Sequence, residues 1–272
     1  MMYKAVKYLL VVLVFSFAVP AGAQNLKRSQ AFRSGESLSC NFYFNWKFIW
    51  VKVGSATLTI KDTIYNGEKA QCMKLLSSTN KKADSFFFMR DTLLTIFGPD
   101  FKPLYYRKAS REGKKFRISQ VWYDYSNPSK TKITQYYRRN DNEPRYKEEY
   151  VTGRVYDMMS LLAYARTIDF TALPEDKRLT FPVATGKVIE PQHLVYRGKK
   201  KTKSDDGHDY NCFRVSLITE EDGKEEEIVN FHITDDKNHL PILLDLVLNF
   251  GSAKARLSHK RGLLYPVSSI AD

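Results

Sequence analysis

The sequence predicts a mainly β protein: an antiparallel curved sheet or partly open β-barrel in two lobes, with one short helix near the middle. Three observations predict it. Apolar and polar residues alternate along most of the chain, turn-forming residues recur at short intervals, and only one stretch shows helical spacing. Aromatic residues make up 14% of the chain, enough ring side chains for a substantial core, which excludes disorder for most of the length.

The first 23 residues read as an export signal. Lys4 and Lys7 precede an apolar run from Tyr8 to Pro20, and Ala21-Gly22-Ala23 has the small-x-small pattern that a signal peptidase cuts. As a helix this run rises only about 20 Å, short of the roughly 30 Å hydrocarbon layer of a membrane. No later stretch reaches the roughly 20 apolar residues of a spanning helix. The expectation is therefore an exported, periplasmic chain with no transmembrane span after cleavage, starting at Gln24. No linker rich in Pro, Gly or Ser divides it, so residues 24–272 are expected to form one β-rich domain, with lobes 33–150 and 175–265 joined by a helical segment 155–170.

From Leu38 to Trp50 every second residue is a large apolar residue or a thiol, which predicts one long strand with an aromatic wall of Phe42, Phe44, Trp46, Phe48 and Trp50. Gly54 to Thr63 alternates again, Asn66-Gly67 marks a hairpin turn, and Ala70 to Ser78 returns. Ser85 to Phe97 is so continuously apolar that it reads as buried on both sides, ending at Gly98-Pro99-Asp100. A meander follows in Leu104–Ser110, Lys114–Tyr125 and Lys130–Arg139. Asp157 then caps a helix in which Met158, Leu161, Leu162 and Ala165 recur at helical spacing, with Arg166 near its end. Strands resume over 178–184, 187–197, 208–219, 226–234, 240–250 and 253–260.

Cys40, Cys72 and Cys212 are odd in number and form no CxxC, so three buried packing thiols are expected, the alternative being a Cys40–Cys72 bridge. No GxSxG elbow accompanies the scattered histidines, which leaves serine hydrolase chemistry without support. His232, Asp235, Asp236 and His239 could gather round a cation, but the aspartates and Asn238 also read as ordinary turn formers, and no metal or other cofactor is assigned. The carboxylate runs Asp205-Asp206, Glu220-Glu221-Asp222 and Glu225-Glu226-Glu227 sit in hydrophilic turns with no reason for a raised pKa.

The formal net charge of +13 is concentrated in clusters: Arg107, Lys108, Arg111, Lys114, Lys115 and Arg117 round one hairpin, Arg138-Arg139, and Lys199 to Lys203. Tyrosines and Trp122 near them would suit a nucleic acid, but export argues against it. An anionic envelope surface is the accessible partner for the same charges, against the plainer reading of a solvated lysine-rich face.

Gly35-Glu36-Ser37-Leu38, Val53-Gly54-Ser55-Ala56, Arg90-Asp91, the helix Asp157 to Arg166, and Thr234 to Ile242 through Gly251 follow one another in an order and spacing that resembles the exported bacterial family called domain of unknown function 3108. The resemblance spans nearly the whole mature chain. It implies an envelope protein of mostly antiparallel β structure without an assigned catalytic residue or ligand.

The leading functional expectation is non-catalytic: a concave apolar surface for a lipid-like or other amphiphilic ligand, with Phe42, Phe44, Trp46, Phe48 and Trp50 as its wall and Arg107, Arg111 and Lys114 near an anionic head. An accessory module that binds an envelope protein partner through a sheet edge is the alternative. An enzyme acting on envelope glycan ranks third.

Overall fold

An extended strand leaves its backbone N–H and C=O groups without partners, and the chain supplies them by folding back repeatedly on itself. The computed structural model describes residues 26, 28–46, 49–221, 224–248 and 251–271. The expected signal segment lies outside them. The first half holds β1 (Ser37–Trp46), β2 (Ile49–Tyr65), β3 (Glu68–Thr79), α1 (Lys81–Asp84), β4 (Met89–Phe97), β5 (Pro103–Glu112), β6 (Lys115–Asp124), β7 (Thr131–Arg139) and β8 (Arg145–Val151). After α2 (Met158–Ala165) come β9 (Arg178–Ala184), β10 (Ile189–Lys203), β11 (Asp209–Glu221), β12 (Lys224–Thr234), β13 (Pro241–Leu248), β14 (Gly251–Arg261) and β15 (Ile270–Ala271).

All belong to one sheet in the order β8-β7-β6-β5-β4-β3-β2-β1-β14-β13-β12-β11-β10-β9, with β15 added beside β11. Every strand pairing in it is antiparallel, and the β1–β14 pair joins the two halves. The sheet does not close through its edges. β8 and β9 remain its two ends, bridged where Tyr156 N–H donates to Pro182 O (2.9 Å), Ala184 N–H to Tyr156 O (2.7 Å) and Gly186 N–H to Gln135 Oε1 (3.0 Å). Up-and-down connectivity puts the β1–β2, β3–β4, β5–β6, β7–β8, β9–β10, β11–β12 and β13–β14 connections at one end of the sheet, where α1 also sits. We call this the α1 end.

The curved sheet wraps round α2, which packs on β3, β4 and β9. Met159 and Ala163 join a core built on Leu38, Leu58, Ile60, Met73 and Phe97. Leu161 and Tyr164 join a second one built on Leu179, Leu194, Phe213 and Val215. Each buried side chain of this size contributes about 1.5–3 kcal/mol, so the helix is the peg on which both halves of the sheet are hung.

Three expectations are corrected. The segment from Leu38 to Trp50 is two strands, because the chain reverses between Trp46 and Ile49; Asn45 pairs with Trp50 and Phe44 with Val51. Directly paired residues share a face, so Trp50 points to the side opposite Phe44. Ser85 to Phe97 is not one buried strand: β4 starts at Met89, and Phe86 and Phe87 ahead of it are 91% and 50% exposed. The meander also has a strand more than expected, β8, whose charged run Arg145 to Glu149 hid its alternation. The expected helix and its Asp157 cap are present.

All three cysteines are free. Cys40 pairs with Ala56 and Cys72 with Lys61, positions of opposite parity on β2, so the two thiols lie on opposite faces and no bridge forms. Burial pushes the Cys40 thiol up to about 12 and raises that of Cys72 as well.

Candidate functional site

Three of the motifs that stand out in sequence, at Glu36, Asp157 to Arg166 and Asn238-His239, converge on the two ends of α2. At its start Asp157 accepts from Met159 N–H (2.9 Å) and Ser160 N–H (2.8 Å), while Thr95 Oγ1 (3.0 Å) and Ser160 Oγ (2.8 Å) donate to its second oxygen. Burial raises its pKa to about 6 against the pull of those donors. At the other end Arg166, enclosed with Glu36, binds it through two bonds (2.5 and 3.1 Å) and also donates to His239 O (3.1 Å) and Asn238 O (2.9 Å). Asn238 in turn donates to Tyr265 O (3.0 Å) and accepts from Tyr265 N–H (3.0 Å). These groups are sealed from solvent and saturated with partners, so they lock the fold rather than meet a ligand.

The side of the sheet facing α2 carries the surface chemistry. Pairing places Phe44, Ala253, Leu246, Val229, Leu217 and Leu194 in one row across β1, β14, β13, β12, β11 and β10. Phe42, Ala255, Leu244, Phe231, Val215 and Tyr196 form the next row. The rows are buried where they approach α2, but Phe42, Phe44, Leu217, Phe231, Leu244 and Leu246 are only half-buried. The result is an apolar floor that opens toward the α1 end.

Beyond β2 the same face turns polar. Ser77, Asp91, Ser110, Arg117 and Arg139 make one row across β3 to β7, and Lys108 pairs with Leu93 and Ser119 beside it. Asp91 Oδ1 is enclosed without a hydrogen-bond partner, and desolvation raises this carboxyl although Lys108 opposes the shift. Arg117 is paired with Glu112 at 2.9 Å. An apolar half and a charged half thus share one surface.

The predicted wall is only partly assembled. Phe42 and Phe44 stand on the apolar floor, joined by Val51, which pairs with Phe44. Trp46 ends β1 opposite Ile49, and Phe48 lies outside the described residues. Trp50 belongs to the other face, where Lys254 Nζ sits 4.3 Å from its ring centroid. Among the cations, Arg111 and Lys114 are exposed at the α1 end, whereas Arg107 stands mid-strand on the outer face between Leu94 and Gln120. The Lys199–Lys203 cluster lies toward the opposite end, where Lys199 pairs with Asp235 at 2.6 Å. Sequence reasoning missed the exposed Phe86-Phe87 and the lysines Lys81-Lys82 beside it; the signal was a phenylalanine run set among turn formers instead of in an alternating strand.

The four residues weighed for a cation have separate partners: His232 meets Thr202 Oγ1 (2.7 Å), His239 meets Arg166 O (2.6 Å), Asp235 holds Lys199, and Asp236 accepts from Thr234 Oγ1 (2.8 Å) and Ser269 Oγ (2.8 Å). Among the described residues no group of three or more His, Cys, Asp or Glu could hold a metal ion, and no helix is long and apolar enough to cross a membrane. Two open clefts, about 330 Å³ beside Tyr125 and Arg154 and about 690 Å³ between Ile64 and Phe101, lie at the end away from α1.

A solved structure shares this architecture. A β-barrel-like protein of the domain of unknown function DUF1849 from Brucella abortus superposes with a TM-score of 0.54 at 10% identity, over 90% of this chain and 100% of that one. A candidate exported protein with a YmcC-like fold from Bacteroides fragilis gives a TM-score of 0.35 at 7% identity, over 86% and 99%. No curated protein matches the chain. Residues 40–258 match the family described as protein of unknown function DUF3108, and the chain belongs to that family.

Proposed function

We propose that this is a non-catalytic periplasmic binding protein for a lipid-like or amphiphilic ligand, with residues 1–23 as its export signal and 24–272 as one β-rich domain. The observation that carries the reading is the change of chemistry across a single face: half-buried Phe42, Phe44, Leu244 and Leu246 on one side of β2, Asp91, Lys108, Arg117 and Arg139 on the other. An acyl chain laid on the apolar rows gains burial, and its polar head then falls among charged donors. The enclosed, unpartnered Asp91 Oδ1 supports a head that itself donates a hydrogen bond.

Native mass spectrometry and solvent extraction of the purified protein test the reading, together with melting in the presence of added amphiphiles. A bound amphiphile and a rising melting temperature are expected. In Leu246→Glu, which puts a charge on the half-buried floor, the rise should vanish while the protein still folds. Recovery of no ligand, with no shift for any amphiphile, removes the proposal.

A further inference from the structure

The α1 end carries a second unexplained feature. Phe86 and Phe87 project from the β3–β4 connection, and Ile49 and Val51, at the start of β2, are 67% and 46% exposed. These are not scattered residues. Asn80 N–H donates to Val53 O (2.8 Å) and Asn80 Nδ2 to Lys52 O (3.0 Å), tying the connection to the start of β2. Gly113 N–H donates to Phe88 O (2.8 Å), which ties it to the β5–β6 turn as well. Three separate tips are thereby held as one surface. Large apolar side chains exposed together at the tip of a sheet mark a contact surface.

Its rim is cationic, and the exposed Glu225, Glu226 and Glu227 of the same end stand four strands along the sheet from β2, on β12. Lys52, Lys81, Lys82, Arg111 and Lys114 are exposed around the apolar tips. The neighbouring carboxylates Asp84 and Glu112 are engaged by Arg90 (2.6 Å) and Arg117 (2.9 Å). Arg90 and Arg111 also lie over the Phe88 ring, at 4.3 and 5.4 Å from its centroid. Aromatic tips that enter the headgroup boundary, ringed by lysine and arginine, complement an anionic bilayer in both apolarity and charge. A protein partner would meet mobile lysine side chains that interfaces disfavour, whereas a lipid surface accepts them by letting their stems lie along the headgroups.

We infer that the α1 end is a docking surface for an anionic phospholipid bilayer, with Phe86, Phe87, Ile49 and Val51 inserted and the surrounding lysines on the phosphates. The inference does not require the floor on the α2 side to hold a ligand. It also fixes an orientation, since the apolar floor opens toward this same end.

Sedimentation with vesicles tests it. The protein should pellet with vesicles of phosphatidylglycerol mixed into phosphatidylcholine, and weakly with phosphatidylcholine alone, and salt should reduce the binding. Phe86→Ser with Phe87→Ser should lower the partition at least about tenfold. Lys81→Glu with Lys82→Glu should lower it by a similar factor, at an unchanged melting temperature. Lys69→Glu, at the opposite end, should leave it unchanged. Failure of the wild-type protein to pellet at low salt, wild-type binding by either pair of variants, or capture by soluble heparin without vesicle binding would overturn the assignment, the last in favour of an acidic glycan. Ligand recovery is read separately, so loss of docking and loss of cargo are distinguishable.

Discussion

Asp157 and Arg166 show how single residues fix the α2 peg. Removing one member of an enclosed ion pair strands the other, so Arg166→Met should cost about 3–5 kcal/mol in urea unfolding, and Glu36→Gln added to it should restore part of the loss. Asp157 makes a pH prediction. Its folded pKa of about 6 lies above the ordinary 3.8, so the fold favours the protonated acid. The stability it confers is complete below about pH 4 and is lost as pH rises through about 6, a decline of about 3 kcal/mol. His232 works in the other direction, because burial and then Lys200 lower it to about 4, so it destabilises as pH falls from 6.5. Asp157→Asn keeps an N-cap and removes only the carboxyl, so the difference between wild type and variant across pH 4 to 6 isolates this residue. Equal slopes in both proteins would show that Asp157 is not the group responsible.

At the scale of elements, local signals succeeded where the cause was local. The capped helix was legible because Asp157 and the spacing of Leu161, Leu162 and Ala165 lie within ten residues of one another, as was the Asn66-Gly67 turn, where both residues have positive φ. The reversal after Trp46 was not legible: Trp46, Phe48 and Trp50 keep up the alternation through the turn, and no Gly, Pro or Asn-Gly announces it. The partner of Arg166, Glu36, lies 130 positions away and could not be read from either motif alone. The candidate site was half legible, since Phe42 and Phe44 came from alternation, whereas Leu244, Leu246 and Asp91 join them only through strand pairing. Gly54 tests the β2–β3 contact. A methyl group there would collide with the Ser78 carbonyl oxygen, so Gly54→Ala should destabilise by about 1–3 kcal/mol in denaturant titration.

At the scale of the whole molecule, one sheet with its first long strand paired to β14 demands contacts between distant parts of the chain. Such topologies fold slowly, in milliseconds to seconds for domains of this type. The edge strand β8 exposes Arg145, Lys147 and Glu148, charges that oppose pairing with another copy. Replacing Lys147 and Glu148 with Val should therefore produce concentration-dependent oligomers by light scattering, while wild type stays unchanged under the same conditions.

The gap between β8 and β9 is held by few bonds. Two main-chain bonds at Tyr156 and one from Gly186 to Gln135 Oε1 (3.0 Å) are a clasp, and Tyr156 immediately precedes the capped start of α2. Its amides should exchange with deuterium sooner than those of β1 and β14, because parting the clasp breaks few bonds whereas parting the central strands breaks a whole ladder. Breathing of the shell is thus confined to a slit on the side away from the β1–β14 join, and a covalent staple across it would stiffen the molecule while leaving its tips untouched.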